Sequence, residues 1–196
     1  MPAVVYLHGF LSSPGSHKAQ RLKSWIAQNA PELSFHCPHL TPYPAQTRRE
    51  LDALLEFLQP EPVWVIGSSL GGFWATWLVE HYGVPAVIIN PSVRPWDFMP
   101  EYLGVDLASY HTDDSYRLGA AHIDEIKAVD CTPIKRPHNY WLMVQTGDET
   151  LDYRQAVEKY RECRQLVEPE GDHSFVGFEH HIADIIEFFR AFSAAR

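Results

Sequence analysis

Short runs, most of them continuously apolar, recur along this 196-residue chain, and most are followed by a longer stretch whose apolar residues fall at helical spacing. The runs lie at 3–9, 33–40, 62–67, 85–90, 140–147 and 163–169. The intervening helical patterns lie at 16–28, 47–58, 71–82, 152–162 and 177–191. In 47–58, for example, Leu51, Leu54, Leu55 and Leu58 share one face. A strand exposed on one face alternates apolar with polar residues, whereas a strand covered on both faces is apolar throughout. The pattern therefore predicts an α/β fold in one domain, 1–196, with about six mostly parallel strands and helices on both faces. One stretch breaks the rhythm. Residues 91–139, rich in Pro, Trp, Tyr, His and Asp, are too long for a simple crossover and read as a functional insertion, a lid over a site. Part of it, 122–129, has a helical pattern.

In an open parallel sheet, ligands bind beyond the carboxyl ends of the strands. The chemistry-bearing residues of this chain gather there. The first strand is followed by His8-Gly9-Phe10, the third by Ser69, the fifth by Gly147-Asp148, and the sixth by Asp172-His173. Gly67-Ser68-Ser69-Leu70-Gly71 fits Gly-x-Ser-x-Gly with Ser69 central. A strand turning sharply into a helix exposes that serine, and its flanking residues must be small for strand and helix to close around it. Ser68 would sit one position early, still on the strand, so Ser69 is the expected nucleophile.

A serine hydroxyl needs a base. His173 is the candidate, since imidazole titrates near neutrality and follows the last strand. Asp148 is the favoured acid to orient it. Asp152 is the alternative but suits a helix N-cap better, and Asp172 reads as a turn residue. Backbone N–H groups of Leu70 and Phe10, with Leu11 as alternative to Phe10, are expected to bind the oxyanion, and His8 to brace their loop. Leu11, Phe73, Trp96, Phe98 and Phe175 are candidates for the substrate pocket.

At this point the residues resemble a known family. YLHGFLSSPGS (6–16), IGSSLGGFWATWL (66–78), NPSVRPW (90–96), QTGDETLDYRQA (145–156), CRQL (163–166) and GDHSFVGFE (171–179) are similar to the α/β-hydrolase superfamily and, more closely, to small bacterial esterases of the YqiA/YcfP-like family. The resemblance implies the α/β-hydrolase fold, hydrolysis of carboxylic esters through an acyl-enzyme, and the set Ser69, Asp148 and His173. It also implies a small-molecule acyl ester or thioester as substrate and no cofactor.

Other classes are disfavoured. The net charge of −9 argues against a nucleic-acid partner and against anionic membranes. Gly-x-Gly-x-x-Gly after the first strand and Gly-x-x-x-x-Gly-Lys are both lacking. His36, Cys37 and His39 lack a further ligand at zinc-like spacing, so no metal is expected. His180 and His181 are expected to face solvent. Three widely spaced cysteines and an N-terminus without a leader pattern point to a cytoplasmic protein. Two readings remain beside the esterase: an acyl-CoA thioesterase, with Arg94, Lys135 and Arg136 meeting a CoA phosphate, and a non-enzymatic binding module on a hydrolase scaffold.

Overall fold

The computed structural model describes residues 1–110 and 112–195. Strand β1 (Ala3–Leu7) leads to α1 (His17–Asn29), β2 (Ser34–His36), α2 (Pro44–Leu58), β3 (Val63–Ser68), α3 (Leu70–Tyr82) and β4 (Ala86–Ile89). The insertion follows. It holds two 3-10 turns (Pro95–Asp97 and Met99–Tyr102), a hairpin of β5 (Asp106–Ala108) and β6 (Ser115–Arg117), helix α4 (Ala120–Ala128) and a third 3-10 turn (Pro137–Asn139). The chain then resumes with β7 (Tyr140–Gln145), α5 (Tyr153–Lys159), β8 (Arg164–Glu168) and α6 (Phe178–Ala194).

Six strands form one sheet in the order β2-β1-β3-β4-β7-β8, every pairing parallel. Alternate strand residues feed two cores. Val5, Leu7, Val65 and Ile88 pack with α2 and α3 on one face, and Val4, Tyr6, Ile66 and Val87 pack with α1 and α6 on the other. All residues of β1, β3, β4 and β7 are buried, which is why these strands read as continuous apolar runs.

Several boundaries differ from the sequence reading. β2 is an edge strand of three residues, because Pro38 cannot donate to a ladder and no second neighbour extends it. α2 starts at Pro44 rather than 47, since proline suits the first turn, where its missing N–H costs nothing. α5 stops at Lys159 rather than continuing to 162. The hairpin was not visible in the sequence, because three-residue strands carry no measurable periodicity.

The chain steps outward from β1 to β2 and returns to the other side of β1 as β3. The carboxyl ends of β1 and β3 are therefore adjacent at a switch in strand order, where a crevice opens. The insertion is fastened beside it. Tyr110 N donates to Leu11 O at 2.9 Å, His39 Nε2 lies 2.9 Å from the Tyr116 hydroxyl, and Arg117 N donates to the Tyr43 hydroxyl at 3.1 Å. Among the described residues, no helix is long and apolar enough to cross a membrane.

Candidate active site

Ser69 joins β3 to α3 with φ 56° and ψ −121°, a region that L-residues seldom occupy. Its surroundings hold it there. A Cβ on Gly67 would lie 2.2 Å from Gly71 O, one on Gly71 would lie 2.0 Å from Leu7 O, and one on Gly72 would lie 2.7 Å from Pro91 Cβ. Gly67 and Gly71 are thus required by contact between backbones and Gly72 by the Pro91 ring, and α3 seats directly against the ends of β1 and β3. Ser69 N donates to Ile89 O and Ser69 O accepts from Ser92 N, both at 3.0 Å, which ties the turn to β4. Ser68 is the last residue of β3, is buried, and its side chain meets the Tyr6 hydroxyl.

His173 Nε2 lies 3.0 Å from Ser69 Oγ. On the other side of the ring, Nδ1 lies 2.8 Å from Asp148 Oδ2 and 3.0 Å from Oδ1. With Nδ1 carrying the proton, Nε2 is left to accept from the Ser69 hydroxyl. Asp148 Oδ1 also accepts from Thr150 N at 2.9 Å and Leu151 N at 2.8 Å, so the carboxylate is fixed by its own loop. Its side chain is 1% exposed while that of His173 is 23% exposed, so the ring is open to a substrate and the acid is not. Asp152 is the N-cap of α5, accepting from Arg154 N, and Asp172 accepts from the Ser174 hydroxyl at 2.6 Å.

Two buried amides missed in the sequence reading hold the His173 loop. Asn90, just past β4, donates from Nδ2 to Asp172 O at 3.0 Å and His173 O at 3.1 Å, and accepts at Oδ1 from Gln145 N at 3.0 Å. Gln145, closing β7, donates to Val176 O at 2.8 Å and accepts from Asp172 N at 3.2 Å and Val176 N at 2.9 Å. Glu149 adds a third restraint, accepting from His173 N at 3.0 Å. A signal was present: Asn90 and Gln145 are polar residues at the ends of apolar strands, as Ser69 is.

The loop after β1 meets the serine. A Cβ on Gly9 would lie 3.3 Å from Ser69 Cβ and 3.7 Å from its Oγ, so the loop comes close to the serine and a side chain there would crowd it. His8, buried, accepts from Leu40 N through Nε2 at 2.9 Å and places Nδ1 2.9 Å from Gly9 O, bracing the loop as expected. Among the described residues, neither Phe10 N nor Leu70 N donates a hydrogen bond. Beneath the loop a cavity of about 10 Å³, lined by Leu11, Leu70 and Trp74 among others, has room for little more than a water molecule.

Ser69 and His173 open onto a cleft of about 810 Å³. Phe10, Phe98 and Phe175 line it, joined by Tyr102 and Tyr110 from the insertion. The other three apolar candidates lie elsewhere. Leu11 turns into the core cavity, Phe73 is buried edge-on to Trp74, and Trp96 lines a separate cleft of about 440 Å³ with Arg94 and Lys159. The reason is common to all three: each packs in or against the core layer that holds α2 and α3 and is satisfied there without a ligand. Nor do Arg94, Lys135 and Arg136 line the serine's cleft. Arg94 is held by Asp97 at 2.7 Å, Lys135 N donates to Glu80, and Arg136 packs by Gly83.

His36 meets the Ser34 hydroxyl and His39 meets Tyr116, and no group of metal-ligating side chains is found among the described residues. His180 is exposed, whereas His181 is half-buried and lies 3.1 Å from Glu168, a departure from the solvent-facing expectation that follows from α6 packing over β8. Burial raises the Cys37 and Cys163 thiols to about 12 and Cys131 to about 11.

A family described as an uncharacterised protein family (UPF0227) matches residues 3–190. The UPF0227 protein YcfP of Escherichia coli is 24% identical over 187 residues, covering 94% of this chain and 97% of that protein. A UPF0227 protein of Shewanella woodyi is 32% identical over 97 residues, 49% of this chain and 54% of that protein. Among solved structures, alpha/beta hydrolase domain-containing protein 10 from mouse superimposes with TM-score 0.73 at 16% identity, covering 97% of this chain and 90% of that one. Est1E from Butyrivibrio proteoclasticus does so with TM-score 0.72 at 12% identity, covering 99% and 90%. The fold is that of the α/β hydrolases.

Proposed function

The chain belongs to the UPF0227 family, and from that premise and the geometry around Ser69 we propose that it is a serine hydrolase acting on carboxylic esters, with short acyl esters preferred. The observation that carries this reading is the unbroken relay from Ser69 Oγ through His173 to a buried Asp148, at 3.0 and 2.8 Å, on a serine held in a rare backbone conformation. Three residues from three different loops do not converge at hydrogen-bond distance for packing alone. A further support is Est1E, a neighbour in fold whose structure holds ferulic acid, itself a carboxylic acid.

The geometry accommodates a two-step acyl transfer. His173 Nε2 takes the hydroxyl proton as Ser69 Oγ attacks the ester carbonyl carbon. The carbonyl oxygen becomes an oxyanion, and the free N–H groups of Leu70 and Phe10 both donate to it. The C–O bond to the alcohol breaks, and the alcohol leaves with the proton from Nε2. Water then repeats the sequence on the acyl-enzyme, releasing the acid and regenerating the serine. Asp148 holds the ring with Nδ1–H inward and balances the charge when both ring nitrogens are protonated. The short-acyl preference rests on the floor of the site: the cavity beneath the Gly9 loop is too small for a chain to run into the core, so the acyl group must lie in the open cleft.

Hydrolysis of a p-nitrophenyl series from acetate to octanoate by wild type and Ser69→Ala tests the reading. Wild type is expected to turn over the short esters fastest and Ser69→Ala to lose roughly 10⁴-fold or more. Equal rates from both proteins would remove Ser69 from the chemistry, and faster turnover of octanoate than butyrate would remove the short-acyl preference.

A further inference from the structure

The first turn of α1 also lines the cleft that holds Ser69 and His173. Ser16, its N-cap, and His17 and Lys18, its first two residues, all line the cleft. Helix starts favour acidic residues, because the free N–H groups there carry partial positive charge. α1 has no acid in its first turn and places Lys18 there instead. A local choice that works against the helix is expected where the residue serves something else.

Three facts describe what that something lacks. Lys18 Nζ donates to Ser174 O at 2.6 Å, which pins the ammonium beside the His173 loop. Among the described residues no carboxylate lies within 4 Å of it, and burial pushes it down to about 8, against the pull of Asp172 and Asp148. Ser16 Oγ, one residue before α1, is buried and has no hydrogen-bond partner, and Ser16 makes no side-chain cap to its own helix. The residues that carry a desolvated ammonium, an orphaned hydroxyl and the free N–H groups of a helix start therefore line one cleft, and each of these groups is completed by the same thing, an anion.

We propose that the first turn of α1, through Lys18 Nζ and Ser16 Oγ, binds a single carboxylate carried by the ester substrate at a distance from the bond that is cleaved. This deepens the reading of Ser69 as nucleophile and rests on it. A singly charged group fits better than a phosphate. One ammonium is available, and Glu101, Glu149, Asp172 and Glu179 also line the cleft, so a second negative charge would meet repulsion without a partner. The substrates so selected are monoesters of dicarboxylic acids, or esters of a hydroxy acid.

The test compares mono-p-nitrophenyl dicarboxylates, glutarate to suberate, with their uncharged terminal-amide counterparts. Wild type is expected to favour the anionic ester by tenfold or more in kcat/KM at its best chain length. Lys18→Met and Ser16→Ala should each reduce that ratio, Lys18→Met to near unity, and Lys18→Arg should restore part of it. The ratio should also fall as pH rises from 6.5 to 9 and Lys18 loses its proton. His17, Glu101, Asp148, Glu149, Asp172, His173 and Glu179 also face it, and all of them are kept in Lys18→Met, whose ratio should therefore stay level over the same pH range. A Lys18 that only secured the loop would slow both esters equally and leave the ratio and its pH dependence unmoved, and that result overturns the proposal. Calorimetry on Ser69→Ala separates the two readings. If no ester is turned over but Ser69→Ala binds the anionic monoester in a Lys18-dependent way, the carboxylate subsite stands and the esterase reading falls. If neither turnover nor Lys18-dependent binding occurs, both fall.

Discussion

Ser69 illustrates how much one residue depends on what cannot be placed near it. Its conformation survives because Gly67, Gly71 and Gly72 let three stretches of backbone touch. Gly71→Ala would drive a methyl group to within 2.0 Å of Leu7 O and 2.7 Å of His8 O, both backbone atoms at the end of β1. Urea unfolding should show a loss of about 3 kcal/mol or more, at the upper end for overpacking, because no side chain can swing aside. The cysteines make the opposite point. With their thiols raised to about 11 or 12 by burial, Cys37, Cys131 and Cys163 should resist iodoacetamide at pH 7 in the folded protein and react once it is unfolded. Rapid modification of the native protein would contradict those surroundings. Ser69 was legible in the sequence because its requirement is local: glycines two residues either side, a strand before and a helix after. Phe73 and Trp96 were misplaced for the same reason inverted, since an aromatic side chain looks alike whether it faces a ligand or α3.

At the scale of elements, the site is assembled by loops that leave the same edge of the sheet. Asn90 and Gln145 are the pins, tying the ends of β4 and β7 to the loop that carries His173. Asn90→Ala would leave Asp172 O, His173 O and Gln145 N without their partner, and the ring would lose its aim at Ser69. The expected result is a fall in kcat of roughly 10²-fold with KM little changed, as for a group misplaced by about 1 Å. A raised KM with kcat intact would instead assign Asn90 to substrate binding. These pins were not read from the sequence because their partners lie far along the chain, 55 to 83 positions from Asn90 and 27 to 31 from Gln145 in the His173 loop. Strand identity was readable from apolar runs. The insertion was readable only as an interruption, since its wall of Phe98, Tyr102 and Tyr110 depends on how a short hairpin and two 3-10 turns are anchored to the loop after β1.

The whole molecule is a sheet between two apolar layers, and the site occupies the edge where neither layer closes. Stability and function are therefore separable over most of the chain. Phe189 on α6, stacked on Trp64 at a 5.4 Å centroid distance, does not line the serine's cleft; Phe189→Ala should cost roughly 3–5 kcal/mol in urea unfolding while the folded fraction keeps its specific activity. Lys18 is where the two interests conflict. Its proton is held less tightly folded, at about 8, than unfolded, near 10.5, so the charged form opposes folding. That penalty is full below pH 8 and is relieved as pH rises from about 8 towards 10.5, where the unfolded chain binds the extra proton. Lys18→Met should thus have a higher Tm than wild type at pH 7, with the gap narrowing above pH 8. A gap that widened with pH would show that the ammonium is stabilised where it sits. All of this presumes that the cleft is built around a reactive serine, and one measurement addresses that directly: mass spectrometry of the folded protein after exposure to a fluorophosphonate. The account predicts a single adduct on the peptide containing Ser69, absent in Ser69→Ala and formed far more slowly in His173→Ala. An unlabelled wild type, or an adduct on Ser68 or elsewhere with Ser69 free, would contradict it.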